Sequence, residues 1–562
     1  MNLNVSALLK NAGSSALAIP AARTMFAFFL FSTTPLFALN LELPSILADQ
    51  MVLQRGQTVP IWGTSQAGAE ISVEFAGQQQ QVTADSEGGW IVRLAPLEAS
   101  AQSRQMKIHA TLKDEEVERI ISDVLVGEVW LNSGQSNMYR PFRMLVGPAE
   151  EKKYEPIAEA LRKEVAEAHD PLLRQYRVGK TVSPFEAQTV GRGTWSKAVS
   201  GPVNEFCGTA YFFGKELRRE LGVPVALLSC NLGATRIEPW ISPQAFQEYP
   251  VLRADYQKHQ KSLQKRIENW NEEEQLAQYQ KELENWQKEN ADSKKKSKKP
   301  KRAEAPQQDK QAYGALYNGM VNPLIPYAVK GALWYQGESN TKNSSEKYAL
   351  QLTSLVTGWR SAWGQEKFYF YWCQLANYRQ PNEKPVGDED KWAVVQNGQR
   401  EALTLPDTGM AVLNDVGEAR DIHPKNKIDA GKRLSLWALK QAYNQNLVCS
   451  GPLLQSAKRE GRKVIVRFDH VGSGLMVGRK HLLDPAVEVD EELKRFQICG
   501  PDFQWEWATA RIVGKNEVEI WHENIQDPVE VRYAWSSHPQ GANLYNREGL
   551  PASLFKVQLE SQ

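Results

Sequence analysis

Residues 123–131 read DVLVGEVWL and run directly into NSGQSNM at 132–138. The first stretch is rich in β-branched and large apolar residues and predicts a buried strand. The second is small and polar, which suits a sharp exit from a sheet edge into a helix. Ser136 would then lie with its Oγ exposed beside backbone N–H groups that have no helical partner. A serine in a glycine-containing turn also serves as a plain helix cap, and the G-x-S-x-G spacing of the nucleophile elbow is absent. This segment alone therefore fixes a strand-to-helix exit and leaves the role of its serine open.

Working outward, strand-like runs at 123–131, 172–178, 224–230, 328–335, 367–375 and 409–414 alternate with helical patterns at 150–169, 206–221, 345–363, 393–404 and 427–443. Such alternation predicts a parallel sheet covered by helices on both faces, an α/β fold. Before it, residues 40–122 show short alternating runs (TVPIWG, AEISVEFAG, GWIVRLAPL) between Gly, Asp-Ser and Pro turns, the spacing of a β-sandwich. After it the β pattern returns in KVIVRFDH, RFQICG, FQWEWATARIVG, EVEIWHE and VEVRYAW. The expected organisation is an N-terminal β domain at 39–122, an α/β domain at 123–445 and a C-terminal β domain at 446–562. The α/β part is interrupted at 252–312 by a segment of Lys, Glu, Gln and Ala. Its stretch 258–288 reads as a helical hairpin or one long surface helix, and SKKKSKKPKR as a solvated loop.

The 562 residues exceed what one hydrophobic core supports. Lys plus Arg number 67 against 66 Asp plus Glu, so no global charge favours nucleic acid or an anionic membrane. Seventeen tryptophans favour core packing and also sugar stacking in a cleft. The five cysteines are far apart and without CxxC spacing, which suggests neither a zinc site nor a redox pair and leaves one disulfide possible. At the start, Arg23 precedes the apolar MFAFFLFSTTPLFA, with small residues near Ala38. That pattern predicts an export signal over 1–38, whose apolar part is too short to span a bilayer comfortably, and a periplasmic or secreted protein.

Chemistry concentrates at the carboxyl ends of the predicted strands, where doubly wound sheets place their sites. After 123–131 comes Ser136; after VPVALLSC comes Asn231-Leu232-Gly233; after VKGALWY comes Gln336-Gly337-Glu338-Ser339-Asn340; and after GMAVLND comes the loop ending Asp421-Ile422-His423-Pro424. A serine hydroxyl needs an adjacent base to act as a nucleophile. Of the histidines in the α/β region, His169 and His259 sit in charged segments, which leaves His423 as the base, with Asp415, Glu418 and Asp421 nearby. Glu338 with Asp421 or Glu418 also allows a paired-carboxylate glycosidase. That chemistry would not need a serine at a strand exit, so Glu338 reads better as a support for its turn.

The strings GEVWLNSGQSNM, NLGATRIEPWI, GALWYQGESN and DIHPKNKIDAGKRLSLWAL, with VRYAWSSHP and NLYNREGLPASLF near the end, together resemble the SGNH (GDSL-like) hydrolases, and within them the sialate O-acetylesterase family. The resemblance covers roughly residues 41–555 without the insertion. It implies an SGNH-type three-layer α/β/α sandwich, with Ser136 as nucleophile and His423 as general base and acid. The implied oxyanion hole is the N–H of Ser136 and of Gly233 with the Gln336 side chain, Asn340 being the alternative donor. The wider group's Asp-x-x-His would put the acid at position 420, which is Arg420 here. Asp421 is therefore the acid implied, with a Ser–His dyad, or help from Glu418 or Asp415, left open. Arg140 and Arg236 are candidates for contacting an anionic sugar such as a sialate through its carboxylate, and Trp240 and Tyr335 for contacting the sugar.

The expected function is an exported serine esterase removing acetyl groups from a carbohydrate, with no metal or cofactor. A xylan or other polysaccharide acetylesterase is the alternative substrate reading. A catalytically inactive carbohydrate-binding protein is the alternative of another class.

Overall fold

The run at 123–131 is the second half of one long strand, β1 (Glu115–Gly134), buried from Val124 through Gly134. A strand with no solvent-facing side needs partners on both edges and cover on both faces. The computed structural model, which describes residues 39–291 and 297–560, supplies both. The predicted export signal at 1–38 and residues 292–296 of the basic loop lie outside the described residues.

The partners are β2 (His169–Val178), β3 (Gly193–Val199), β4 (Val225–Asn231), β5 (Gly331–Tyr335), β6 (Tyr369–Cys373) and β7 (Thr408–Ala411), in the order β3-β2-β4-β1-β5-β6-β7. Every neighbouring pair is parallel except β3 on β2. The edge strand β3 carries no sequence signal because GTWSKAV buries only Ala198. Without an apolar run it reads as loop.

The longer helices are α1 (Glu155–Ala166), α2 (Gly208–Leu221), α3 (Pro250–Glu268), α4 (Glu272–Asn290), α5 (Tyr348–Trp363), α6 (Lys391–Glu401) and α7 (Lys427–Gln441). Trp130 meets Phe213 of α2 with ring centroids 5.1 Å apart, whereas Trp334 meets Trp359 of α5 at 6.1 Å. Trp130 pairs with Gly331, three positions before Trp334, so the two tryptophans point to opposite faces. Helices α2 and α5 therefore cover opposite sides of the sheet. Where α2 crosses α7, Gly431 leaves room for the neighbouring backbone: a Cβ there would lie 2.6 Å from Thr209 O. Trp130, Trp240, Trp334, Trp359 and Trp372 are all fully buried, so much of the tryptophan content serves packing.

The amino-terminal half of β1 continues beyond this sheet, pairing antiparallel with Ser100–Leu112, and a short parallel contact comes from Val52–Gln54. One strand thus passes through residues 122 and 123. At the other end of the chain, Lys463–Asp469 alternates strictly between core and surface, as a half-buried antiparallel strand does. It belongs to a four-stranded sheet, and a second four-stranded sheet holds Phe496–Cys499 and Phe555–Gln558. Gln374, just after β6, ties this part to the α/β part through Ser553 Oγ at 2.9 Å.

The insertion holds two successive helices: α3 ends at Glu268, and Asn271 caps α4 by accepting from Glu273 N and Glu274 N. All five cysteines are buried and free. Among the described residues no helix is long and apolar enough to cross a membrane.

Candidate active site

Three strand ends meet in register. Gly134 of β1 pairs with Asn231 of β4 on one side and Tyr335 of β5 on the other. β1 is the point where the order of strands reverses, which opens a crevice at the carboxyl edge. Gly134 has φ +135, and a Cβ there would lie 2.2 Å from Tyr335 O, so only glycine fits this exit. The chain then forms a single helical turn, Ser136–Tyr139. Ser136 is half-buried, and a Cβ on Gly233 would lie 3.8 Å from its own Cβ. The turn of Gly233 thus lies beside Ser136, whose N–H opens a helical turn.

His423 arrives on the loop after β7, and its Nε2 lies 2.9 Å from Ser136 Oγ. Two groups compete for its other nitrogen. Arg140 Nη2 stands 2.9 Å from Nδ1, and Asp421 Oδ1 stands 3.4 Å from it. Asp421 Oδ1 also accepts the His423 backbone N–H at 2.8 Å, which is how an acid only two residues away holds the loop. Burial pushes the His423 imidazole below its usual pKa; the Asp421 bond opposes this, and the charges of Arg140 and Lys427 reinforce it. For Asp421, burial acts upward, but the bonds to His423 and the charges of His423 and Arg140 outweigh it and hold the carboxyl below the usual range.

Beneath the serine lies a buried charged cluster that the sequence reading did not assign. Asn137 Nδ2 donates to Glu338 Oε1 at 2.5 Å and to Ile422 O at 3.0 Å, and its Oδ1 accepts from Lys427 Nζ at 2.5 Å. One amide therefore joins the turns after β1 and β5, the histidine loop and the start of α7. Lys427 is 1% exposed, and burial lowers its pKa to about 8 against the opposing attraction of Glu338. Burial likewise raises Glu338, whose Oε2 has no hydrogen-bond partner among the described residues. A lysine in the first turn of a helix, where the macrodipole disfavours cations, was the available sequence signal.

Several predicted residues stand elsewhere than expected. Gln336 is fully buried, its Nε2 facing Gln135 Oε1 at 3.1 Å, Thr235 O at 3.1 Å and Asn340 Oδ1 at 2.8 Å. Its Oε1 accepts from Tyr348 at 2.9 Å. Asn340 is equally buried, donating to Glu238 Oε2 at 3.1 Å and accepting from Ile237 N at 3.0 Å. Both amides are spent on holding neighbouring turns. Trp240 and Tyr335 are core residues, 0% and 1% exposed, so their burial removes them as sugar contacts. Asp415 is bound by Arg433 at 2.6 and 2.8 Å, and Glu418 accepts the backbone N–H of Lys425 at 2.8 Å; neither bonds His423. Arg236 is half-buried over the Tyr313 ring, with Gln311 Oε1 3.0 Å from its backbone N. Gln311 and Lys310, at the end of the insertion, also donate to Ala234 O and Gly233 O at 2.7 and 2.9 Å. The interrupting segment thus returns to brace the Gly233 turn.

With this geometry in place, the comparisons with known proteins are specific. Residues 281–435 match the family described as carbohydrate esterase, sialic acid-specific acetylesterase. A crystal structure of a carbohydrate acetylesterase from Xanthomonas citri is 33% identical, superposes with a TM-score of 0.72, and is matched over 92% of this chain and 99% of its own. The chain belongs to the sialate O-acetylesterase family. Curated relatives named sialate O-acetylesterase include the rat protein, 27% identical over 92% of this chain and 94% of its own, and the human protein, 25% identical over 92% of each. Membership makes the protein a carboxylic ester hydrolase. The matched span holds Gln336, Glu338, Asp421 and His423 and starts after Ser136 and Gly233, so the serine end of the site stands on geometry.

Proposed function

We propose that the protein is a serine O-acetylesterase acting on an acetylated carbohydrate, through an acetyl-enzyme on Ser136. The observation that carries this reading is the 2.9 Å contact between Ser136 Oγ and His423 Nε2 at the crevice beside β1. Ser136 Oγ attacks the acetyl carbonyl carbon as its proton passes to His423 Nε2. The oxyanion forms against the N–H of Ser136 and Gly233. His423 then protonates the sugar oxygen as it leaves, and a water activated by the same imidazole releases acetate. Asp421 steadies the imidazolium. The relatives' names support an acetyl ester on a sugar, and a panel of O-acetylated sugar acids, acetyl-xylan and simple acetylated sugars tests it by acetate release. Turnover of none of them would overturn the reading.

The sheet with helices on both faces supports an SGNH-type three-layer sandwich for 123–445, with β-sandwich domains before and after it. Export through the segment 1–38 belongs to the same proposal and rests on its sequence alone.

Gln336 acts in this reading by bracing, since its amide links the turns that carry Ser136 and Gly233. Gln336→Leu is expected to lower unfolding free energy by about 3 kcal/mol, the scale of orphaned buried polar groups, together with kcat. Urea unfolding alongside kinetics checks this. A fall in kcat at unchanged stability would instead make Gln336 an oxyanion donor.

A depressed imidazole pKa fixes the pH response. The base must be neutral to take the serine proton, so kcat/KM is expected to stay level down through the ordinary histidine value of about 6.5 and to fall only at lower pH. A profile whose acidic limb lies above that value would contradict the burial of His423.

A further inference from the structure

The residue closest to His423 Nδ1 is a cation. Arg140 Nη2 at 2.9 Å is a donor, and Asp421 Oδ1 at 3.4 Å is an acceptor. One nitrogen cannot serve both. When Nδ1 accepts from Arg140 it has no proton, so the neutral ring carries its proton on Nε2 and donates it toward Ser136 Oγ. In that tautomer His423 has no lone pair with which to take the serine proton. When Nδ1 carries the proton and donates to Asp421, Nε2 becomes the acceptor that general-base catalysis needs. The arrangement with Arg140 in place is the unproductive one.

Arg140 has an unmet demand of its own. Its guanidinium is half-buried, and burial lowers its pKa. Among the described residues no carboxylate stands within ion-pair distance of it, while Arg143 and Arg177 nearby share Glu205. A half-buried guanidinium that spends a donor on an imidazole gains more from an anion. Its backbone is fixed, with Arg140 N bonded to Ser136 O at 2.9 Å and Gly208 N bonded to Arg140 O at 3.1 Å, so any movement belongs to the side chain.

We propose that Arg140 is a substrate-sensing positioning residue: it holds His423 in the non-basic tautomer until an anionic group on the acetylated substrate takes its guanidinium. On that exchange one proton moves through water from Nε2 to Nδ1 with no change in net charge. Nδ1–H then donates to Asp421, and Nε2 faces the Ser136 hydroxyl. Esters carrying a carboxylate near the acetyl group, such as O-acetylated sugar acids, switch the enzyme on as they bind. This inference rests on the serine esterase reading.

The test measures kcat/KM for wild type, Arg140→Leu and Arg140→Lys on p-nitrophenyl acetate and on an O-acetylated sugar acid, each across pH. On the neutral ester Arg140→Leu is expected to be about fivefold faster than wild type, the worth of one net hydrogen bond. On the sugar acid it is expected to lose roughly 10- to 100-fold, the worth of a hydrogen bond to a charged group. The groups facing His423 are Asp421 on its own loop, Arg140 from the nucleophile turn and Lys427 from α7. Removing the Arg140 charge therefore moves the acidic limb of the profile to higher pH in Arg140→Leu, while Arg140→Lys keeps it in place. Equal losses on both substrates with an unmoved limb would overturn the proposal. Turnover by Ser136→Ala in the same assay would instead overturn the esterase reading beneath it.

Discussion

Ser136→Ala is expected to reduce acetate release by about 10⁴- to 10⁶-fold, the range seen when a serine nucleophile is removed from a hydrolase. The fold should be indifferent to the change. Among the described residues the Ser136 side chain bonds only His423, and the exit turn is held by Gln135 N on Tyr335 O at 3.0 Å and by the fit of Gly134. Unfolding midpoints of the variant and wild type should therefore coincide while their rates separate. A variant that keeps a tenth of the wild-type rate would leave the serine no role in bond breaking.

Asn137→Leu is expected to be the most damaging substitution to stability. It strips partners at one stroke from Lys427 Nζ, Glu338 Oε1 and Ile422 O. Lys427 and Glu338 are both buried, and a buried ionic arrangement broken on one side costs about 3 to 5 kcal/mol. Leucine keeps the number and branching of asparagine's side-chain heavy atoms and opens no cavity, so the loss would come from unpaired polar groups. Because Asn137 follows Ser136 and also holds the histidine loop, activity should fall even in the molecules that stay folded. Urea unfolding read beside specific activity checks both effects. A loss below 1 kcal/mol would mean that water or a neighbour takes over the orphaned groups.

The parallel sheet was legible because buried parallel strands are continuous apolar runs, and their polar ends stand out against them. β1, β4, β5 and β6 are of this kind, and β3 is not, since an edge strand facing solvent needs no apolar run. Helices α2, α5 and α7 fall within a few residues of their predicted spans, whereas the pattern of 258–288 fits one helix as well as two, and the break at Asn269–Asn271 makes it two. His423 was reachable by elimination. The orientation of Gln336 was not, because a motif gives a residue's place in the chain and not the direction of its amide. Trp240 and Tyr335 misled for a related reason: an aromatic in a segment that follows or ends a strand packs into the core as readily as it faces a cleft. The Asn137–Glu338–Lys427 cluster joins three distant points in the chain. Only the misplaced charge of a lysine at a helix start hinted at it.

The central claim is that the acetyl group passes through Ser136. Protein quenched during turnover of p-nitrophenyl acetate, digested and analysed by mass spectrometry, tests that passage directly. The expected result is one added acetyl on the peptide containing Ser136, absent from Ser136→Ala and discharged when substrate is exhausted. An acetyl group on another residue that forms and discharges at the rate of turnover, with Ser136 unmodified, would contradict it.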